Sequence, residues 1–115
     1  MVYSTLMRIS FLDAEIEGLC KQSKLATRRL GAESAKKLQR RLSELFAASV
    51  VAELVAGRPH PLWRSRAGQY AVDLHGGCRL IFKPTKQPPP IKADGSIDWA
   101  QVDDVTIIEA GDYHD

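Results

Sequence analysis

The chain has few of the residues that stabilise secreted or metal-bound small domains. Its 115 residues include only two cysteines, Cys20 and Cys78, and this content favours free thiols in a reducing compartment over a disulfide framework or a zinc site. No apolar run has the length of a membrane span, and the N-terminus lacks the apolar segment of a signal peptide. We therefore expect a cytoplasmic protein that does not contact membranes.

The formal net charge is also small, at +2, and it does not by itself predict a nucleic-acid partner. Its distribution is more informative, because acidic residues concentrate toward the end and basic residues lie earlier. These earlier basic residues include Lys21, Lys24, Arg28, Arg29, Lys36, Lys37, Arg40, Arg41, Arg58, Arg64, Arg66, Arg79 and Lys83. A basic face for a polyanion can therefore coexist with a nearly neutral total.

Length and hydrophobic content predict a single domain over residues 1–115 with one modest core. Alternation predicts a first strand over residues 6–11. Asp13 is a candidate N-cap for a helix that ends before Gly31, with Ser23 on its apolar face. Helical spacing then predicts a helix over residues 33–48 and a short helical piece over residues 50–56 that packs Val51, Leu54 and Val55.

After Pro59 and Pro61 the apolar period changes from that of a helix to that of a strand. Two strands flank the hairpin signal Gly76-Gly77, and the second directs Arg79 away from Leu80 and Phe82. Residues 84–99 are rich in proline and predict a loop insertion or β-ribbon tip, with Trp99 as its anchor. A last strand is expected over residues 105–109. This order favours an α+β fold, an antiparallel-rich sheet with two to three helices packed on one side.

Several side chains are suited to cleaving RNA without a metal or other cofactor. In that reaction the 2′-hydroxyl attacks the neighbouring phosphate, so a base, cations and an acid are needed. His60 and His114 are candidates for base or acid, and Asp112 could orient an imidazole. Arg66 and Arg79 offer guanidinium groups for phosphate, and Tyr113 could stack on a base.

Taken one at a time, these residues have ordinary structural explanations. His60 lies between two prolines and could be a turn residue, while Arg79 could form an ion pair on an exposed sheet face. The terminal Asp112-Tyr113-His114 could be a frayed tail. These residues support a catalytic function only when they are considered together.

The set resembles the RelE/ParE toxin superfamily, and most closely the HigB-like toxins of type II toxin–antitoxin systems. The resemblance rests on His60-Pro-Leu through Arg66-x-Gly-Gln-Tyr, on Arg79-Leu-Ile-Phe and on Asp112-Tyr-His, in that order. It implies a RelE-like α+β toxin that cleaves messenger RNA on the ribosome. It also implies a cognate helix-turn-helix antitoxin, similar to HigA, through which the toxin would reach operator DNA.

The same resemblance implies roles for individual residues. His60, Arg79, Tyr113 and His114 fall on catalytic or substrate-binding positions, with Asp112 as the neighbouring acid and Arg66 as a basic residue of the loop. One departure is Trp63, which stands where the family commonly has lysine. An indole can stack on a base but cannot neutralise phosphate, so Arg64 is the candidate replacement.

The sequence is compatible with two other functions. A ParE-like toxin would have the same fold and inhibit DNA gyrase without cutting RNA, and the missing lysine is compatible with it. A catalytically weak toxin could also act mainly as co-repressor with its antitoxin.

Overall fold

The helices lie in the first half of the chain and most strands in the second. In the computed structural model, which describes residues 6–112, the helices are α1 (Ala14–Lys21), α2 (Ser23–Leu30) and α3 (Ala32–Ala47). The strands are β1 (Arg8–Phe11), β2 (His60–Pro61), β3 (Tyr70–Asp73), β4 (Cys78–Pro84) and β5 (Asp104–Asp112). Single 3-10 turns cover Val51–Glu53, Arg64–Arg66 and Trp99–Gln101. No helix among residues 6–112 is long and apolar enough to cross a membrane.

The sheet has the strand order β1-β5-β4-β3-β2. β1 is parallel to β5, and every other neighbouring pair is antiparallel. The predicted α+β class and antiparallel-rich sheet are therefore confirmed. The first strand is found at Arg8–Phe11, slightly shorter than expected, and the last is longer than the predicted residues 105–109. β2 was not predicted, since its two residues give no alternation to detect.

The main core lies between the helices and one face of the sheet. Leu38 and Leu45 of α3 are buried there together with Leu80 and Phe82 of β4. A second cluster of Leu62, Ala71 and Ile81 lies apart from the helices. Since side chains alternate between the faces of a strand, Ile81 and its neighbour Arg79 belong to the face of the sheet that the helices do not cover.

Local sequence explains where the helices begin and end. The Asp13 carboxylate accepts a hydrogen bond of 2.9 Å from the Ile16 amide, which confirms the predicted N-cap of α1. The single helix expected before Gly31 is wrong, because Gln22 has an extended backbone and separates α1 from α2. That break turns α2 so that Ala26 is buried and Ser23 is exposed.

The helical piece expected over residues 50–56 is mostly wrong. Only Val51–Glu53 forms a 3-10 turn, since Leu54 is extended and ends it. Val51 is buried as predicted, and its amide donates a hydrogen bond of 3.0 Å to the Val102 carbonyl. Val55 is 87% exposed, so it does not pack as expected.

The proline-rich segment of residues 84–99 returns on itself as a short ribbon. Ile91 and Ile97 form an antiparallel bridge, which confirms the ribbon tip that the sequence indicated. Trp99 follows directly and packs on Tyr70, with 4.7 Å between ring centroids. The predicted anchoring role of Trp99 is therefore confirmed.

Candidate functional site

One carboxylate on the helix-free face of the sheet gathers two guanidinium groups. Asp73 of β3 lies directly opposite Arg79 of β4, and the Arg79 Nε donates to Asp73 Oδ1 at 3.1 Å. The Arg58 Nε donates to the other oxygen, Asp73 Oδ2, at 2.6 Å. Asp73 and Arg79 are each about three-quarters buried, whereas the Arg58 side chain is 71% exposed. The arrangement holds two cations side by side, one rigid and one open to solvent.

The charge state of Asp73 follows from these neighbours. Partial burial acts to raise its pKa, but the hydrogen bond from Arg58 and the charges of Arg58, Arg79 and His60 act against it. The net effect is a pKa below the usual range of a carboxyl group. Asp73 is therefore an anion at neutral pH, and it offsets one of the positive charges around it.

His60 lies at the edge of this cluster with one ring nitrogen already engaged. β2 pairs His60 with Ala71, two residues from Asp73 on the same strand. The His60 Nδ1 lies 2.6 Å from the Arg58 carbonyl oxygen. A carbonyl can only accept, so Nδ1–H is the donor and Nε2 is the nitrogen left to accept a proton when the ring is neutral. The turn that carries His60 thus fixes its tautomer.

A second cationic group is held on the same side of the sheet. Arg66 is mostly buried, and its guanidinium donates to Glu109 Oε1 at 3.0 Å and to Gln69 Oε1 at 3.0 Å. A β-bulge makes this possible: Ile81 pairs with Glu109, but Phe82 pairs with Ile107, so Ile108 is an extra residue. Ile108 packs against the second hydrophobic cluster while Glu109 reaches Arg66.

Two arginines around this face have an unusual backbone. Arg58 has φ 46° and Arg64 has φ 58°, and they are the non-glycine residues of positive φ within residues 6–112. Such backbones are uncommon for a long side chain, and they cost free energy that the surrounding structure must supply. Arg64 and the neighbouring Trp63 are both exposed, and Trp63 is 69% exposed. Neither belongs to the Asp73 cluster.

The C-terminal candidates lie partly outside the structure. Tyr113 and His114 lie outside the described residues 6–112. Asp112 ends β5 opposite Cys78, and a Cβ placed on Gly77 would lie 3.0 Å from Asp112 Oδ1. Asp112 is thus next to the hairpin turn and at the same end of β4 as Arg79, which pairs with Gly111. His60 lies on β2, three positions from β5 in the strand order. The structure gathers His60 and Arg79 around Asp73 and leaves Asp112 at the hairpin end of β4, close in the sheet to Arg79 and farther from His60.

Three members of the site were not among the predicted residues: Arg58, Asp73 and Glu109. The alternation of apolar and polar residues predicts which face of its own strand Asp73 occupies, and likewise for Arg79. It does not predict that the two residues pair. The pairing depends on the loop length, because a two-residue turn at Gly76-Gly77 would set Leu74 opposite Arg79. The actual loop has three residues, with Leu74 opposite Cys78, and this register brings Asp73 to Arg79.

Both cysteines are free, and burial raises the pKa of the Cys20 thiol to about 11. Cys20 is therefore a protonated core residue at neutral pH, in line with its apolar sequence context. Within residues 6–112, no three histidine, cysteine, aspartate or glutamate side chains are grouped so that they could hold a metal ion.

The chain matches no family model, and no curated protein matches it significantly.

Proposed function

We propose that this protein is the toxin of a type II toxin–antitoxin pair and that it cleaves messenger RNA on the ribosome. The observation that carries the proposal is the convergence of Arg58, Arg79 and His60 around one carboxylate on the helix-free face. Neighbouring guanidinium groups can bind the phosphates of a nucleic-acid strand by hydrogen bonds and charge attraction. An imidazole with a fixed tautomer beside them is suited to moving a proton.

In the proposed reaction the neutral His60 accepts, at Nε2, the proton of an RNA 2′-hydroxyl. The 2′-oxygen then bonds to the adjacent phosphorus, and the bond from phosphorus to the 5′-oxygen of the next nucleotide breaks. The products are a 2′,3′-cyclic phosphate and a 5′-hydroxyl end. A second acid must return a proton to the leaving 5′-oxygen, and we assign this role to the C-terminal segment Asp112-Tyr113-His114.

The arginines have the task of holding the phosphate while its negative charge increases. Arg79 is rigid because its strand, its partner Asp73 and its burial all restrain it. Arg58 is exposed and can leave Asp73 at a small cost, since solvent screens the ion pairs of exposed groups. A phosphate oxygen can therefore replace Asp73 as the partner of Arg58 while the contact between Arg79 and Asp73 remains.

The proposal includes the partners that the family resemblance implies. The protein would act in the cytoplasm on ribosome-bound messenger RNA. It would be neutralised by a small helix-turn-helix protein similar to HigA, and operator DNA would be reached only through that partner.

Induced expression with mapping of transcript 5′ ends tests the proposal. The wild-type chain should arrest growth and produce new 5′-hydroxyl ends within translated regions, whereas His60→Gln and Arg79→Gln should produce few or none. The matched controls are His75→Gln, an exposed histidine of the hairpin turn, and Arg29→Gln, an exposed arginine paired with Glu15 on the helices. Both controls should cut as the wild type does.

Other results would select the alternatives. Growth arrest with intact messages and trapped gyrase–DNA complexes would replace the nuclease by a ParE-like gyrase inhibitor. Absence of arrest, together with operator binding that requires a helix-turn-helix partner, would leave only the co-repressor function.

A further inference from the structure

A groove of about 470 Å³ lies beside the proposed RNA-cleaving face. One wall is the loop that carries Trp63 and Gly68, the other is the ribbon tip with Lys92 and Ile97, and Trp99 also lines it. Its size is within the range of about 300–1,000 Å³ that small-molecule sites occupy. The proline-rich segment thus forms a boundary of a concave surface rather than projecting freely from the domain.

Backbone hydrogen bonds hold both walls of this groove. The Leu62 amide donates to the Gln69 carbonyl at 2.9 Å, which closes the first loop. In the ribbon tip, the Lys92 amide donates to the Ser96 carbonyl at 2.8 Å, and the Gly95 amide donates back to Lys92 at 3.0 Å. The groove is therefore built by ordered backbone and does not depend on a single side chain.

Its polar and aromatic groups suit one kind of occupant. The Trp63 indole is 69% exposed at the rim, and exposed Arg64 and Lys92 lie beside it or within the groove lining. Asp94 in the ribbon tip accepts hydrogen bonds from the Ser96 amide and hydroxyl at 2.9 and 2.6 Å, so its oxygens are engaged locally. An open aromatic ring flanked by cations is the combination that binds single-stranded nucleic acid.

One loop connects the groove to the cationic face. Trp63 and Arg66 belong to the same loop, and the Arg66 amide donates to the Trp63 carbonyl at 3.1 Å. Arg66 in turn contacts Glu109 on the sheet. A strand whose phosphates follow Arg79 and Arg66 would be led along this loop toward the Trp63 rim.

We propose that this groove receives an unpaired nucleobase of the RNA strand, stacked on Trp63, next to the nucleotide whose phosphate lies on the Arg58 and Arg79 side. This inference rests on the proposed function, which it extends by a subsite for the base. Arg64 and Lys92 contribute attraction for the adjoining phosphates.

Binding of a fluorescently labelled single-stranded hexanucleotide RNA, measured by anisotropy without ribosomes, tests the subsite. Trp63→Ala should weaken binding at least about fivefold, since stacking of one base contributes about 1–3 kcal/mol. Trp63→Phe should recover most of the loss. Phe46→Ala is the matched control, because Phe46 is a half-exposed aromatic of α3, outside the groove lining, and it should bind as the wild type does.

An abasic oligomer of equal length and charge separates stacking from phosphate attraction. Trp63→Ala should leave its affinity unchanged. The subsite is refuted if Trp63→Ala binds the normal hexanucleotide as tightly as the wild type, or if the abasic oligomer loses the same factor. A wild-type dimer that Trp63→Ala converts to monomers, with RNA affinity unchanged, would assign the groove to a second copy of the chain and also refute it.

These outcomes are distinct from failure of the proposed function. If RNA binds through Trp63 but no message is cut, the nuclease proposal fails and the base subsite stands. If messages are cut and Trp63→Ala does not affect hexanucleotide binding, the nuclease stands and the subsite fails.

Discussion

Replacing Asp73 by asparagine should change stability and RNA binding in opposite directions. The substitution keeps the size of the side chain but removes the negative charge between Arg58 and Arg79. The folded protein then loses two charge-assisted contacts, one of which is with the mostly exposed Arg58. Hydrogen bonds to charged groups contribute about 1.5–3 kcal/mol when they are protected from water, whereas solvent screens the pair with Arg58 so that it adds little. We expect the free energy of unfolding to fall by about 1–2 kcal/mol.

The pH dependence of that loss follows from the lowered pKa of Asp73. A carboxyl group with a depressed pKa in the folded state stabilises the protein above its unfolded pKa of about 3.9, and this contribution is lost as the pH falls through the folded pKa. The difference between wild type and Asp73→Asn in urea unfolding should therefore be constant from about pH 5 to 8. It should shrink toward zero below about pH 4.

RNA binding should become tighter in the same variant. A carboxylate roughly 7 Å from a bound phosphate, across a guanidinium, costs about 1 kcal/mol at an effective dielectric constant of about 45. Asp73→Asn should therefore bind single-stranded RNA about fivefold more tightly at low salt. Cleavage should nevertheless slow, because the guanidinium groups lose the carboxylate that orients them. The control is Glu15→Gln, which removes one exposed negative charge from α1.

Two results would refute this reasoning. If Asp73→Asn binds RNA more weakly than the wild type, Asp73 does not compete with phosphate for the arginines. If its stability difference persists unchanged at pH 3, the Asp73 carboxylate is not the group that stabilises the cluster.

Three further predictions concern the scaffold. Phe82→Ala removes a fully buried ring and should lower the free energy of unfolding by about 3–5 kcal/mol in denaturant titrations. Gly57→Ala should destabilise by about 1–3 kcal/mol by the same measurement, since Gly57 has φ 81° and its Cβ would lie 2.9 Å from Arg41 Nε. Wild-type stability should fall between about pH 9 and 11, because the buried Cys20 thiol has a pKa of about 11 and ionises more readily when unfolded; Cys20→Ala should flatten that decline.

The sequence predicted those parts of the fold that depend on local pattern. The Asp13 cap, the amphipathic α3 and the opposite directions of Leu80 and Arg79 follow from propensity and alternation, and the structure has all three. The break at Gln22 and the short β2 were not predictable in this way. The α1–α2 break accompanies the burial of Ala26 in the core, and the two residues of β2 pair with β3 at the edge of the sheet.

The candidate site shows the same division. His60, Arg66 and Arg79 were indicated by residue type and family resemblance, and the structure places all three on the helix-free side. Asp73 and Glu109 depend on strand register, through a three-residue hairpin loop and a β-bulge respectively. Shifts of strand register by a single residue are determined by long-range pairing, so the local sequence pattern does not predict them.

The most direct test of the central claim is the rate of single-turnover cleavage of a messenger RNA bound to purified ribosomes. Wild type and His75→Gln should cut at the same rate. His60→Gln should be slower by about 10²–10⁴-fold, the usual contribution of a general base. Equal rates for His60→Gln and wild type would contradict the account.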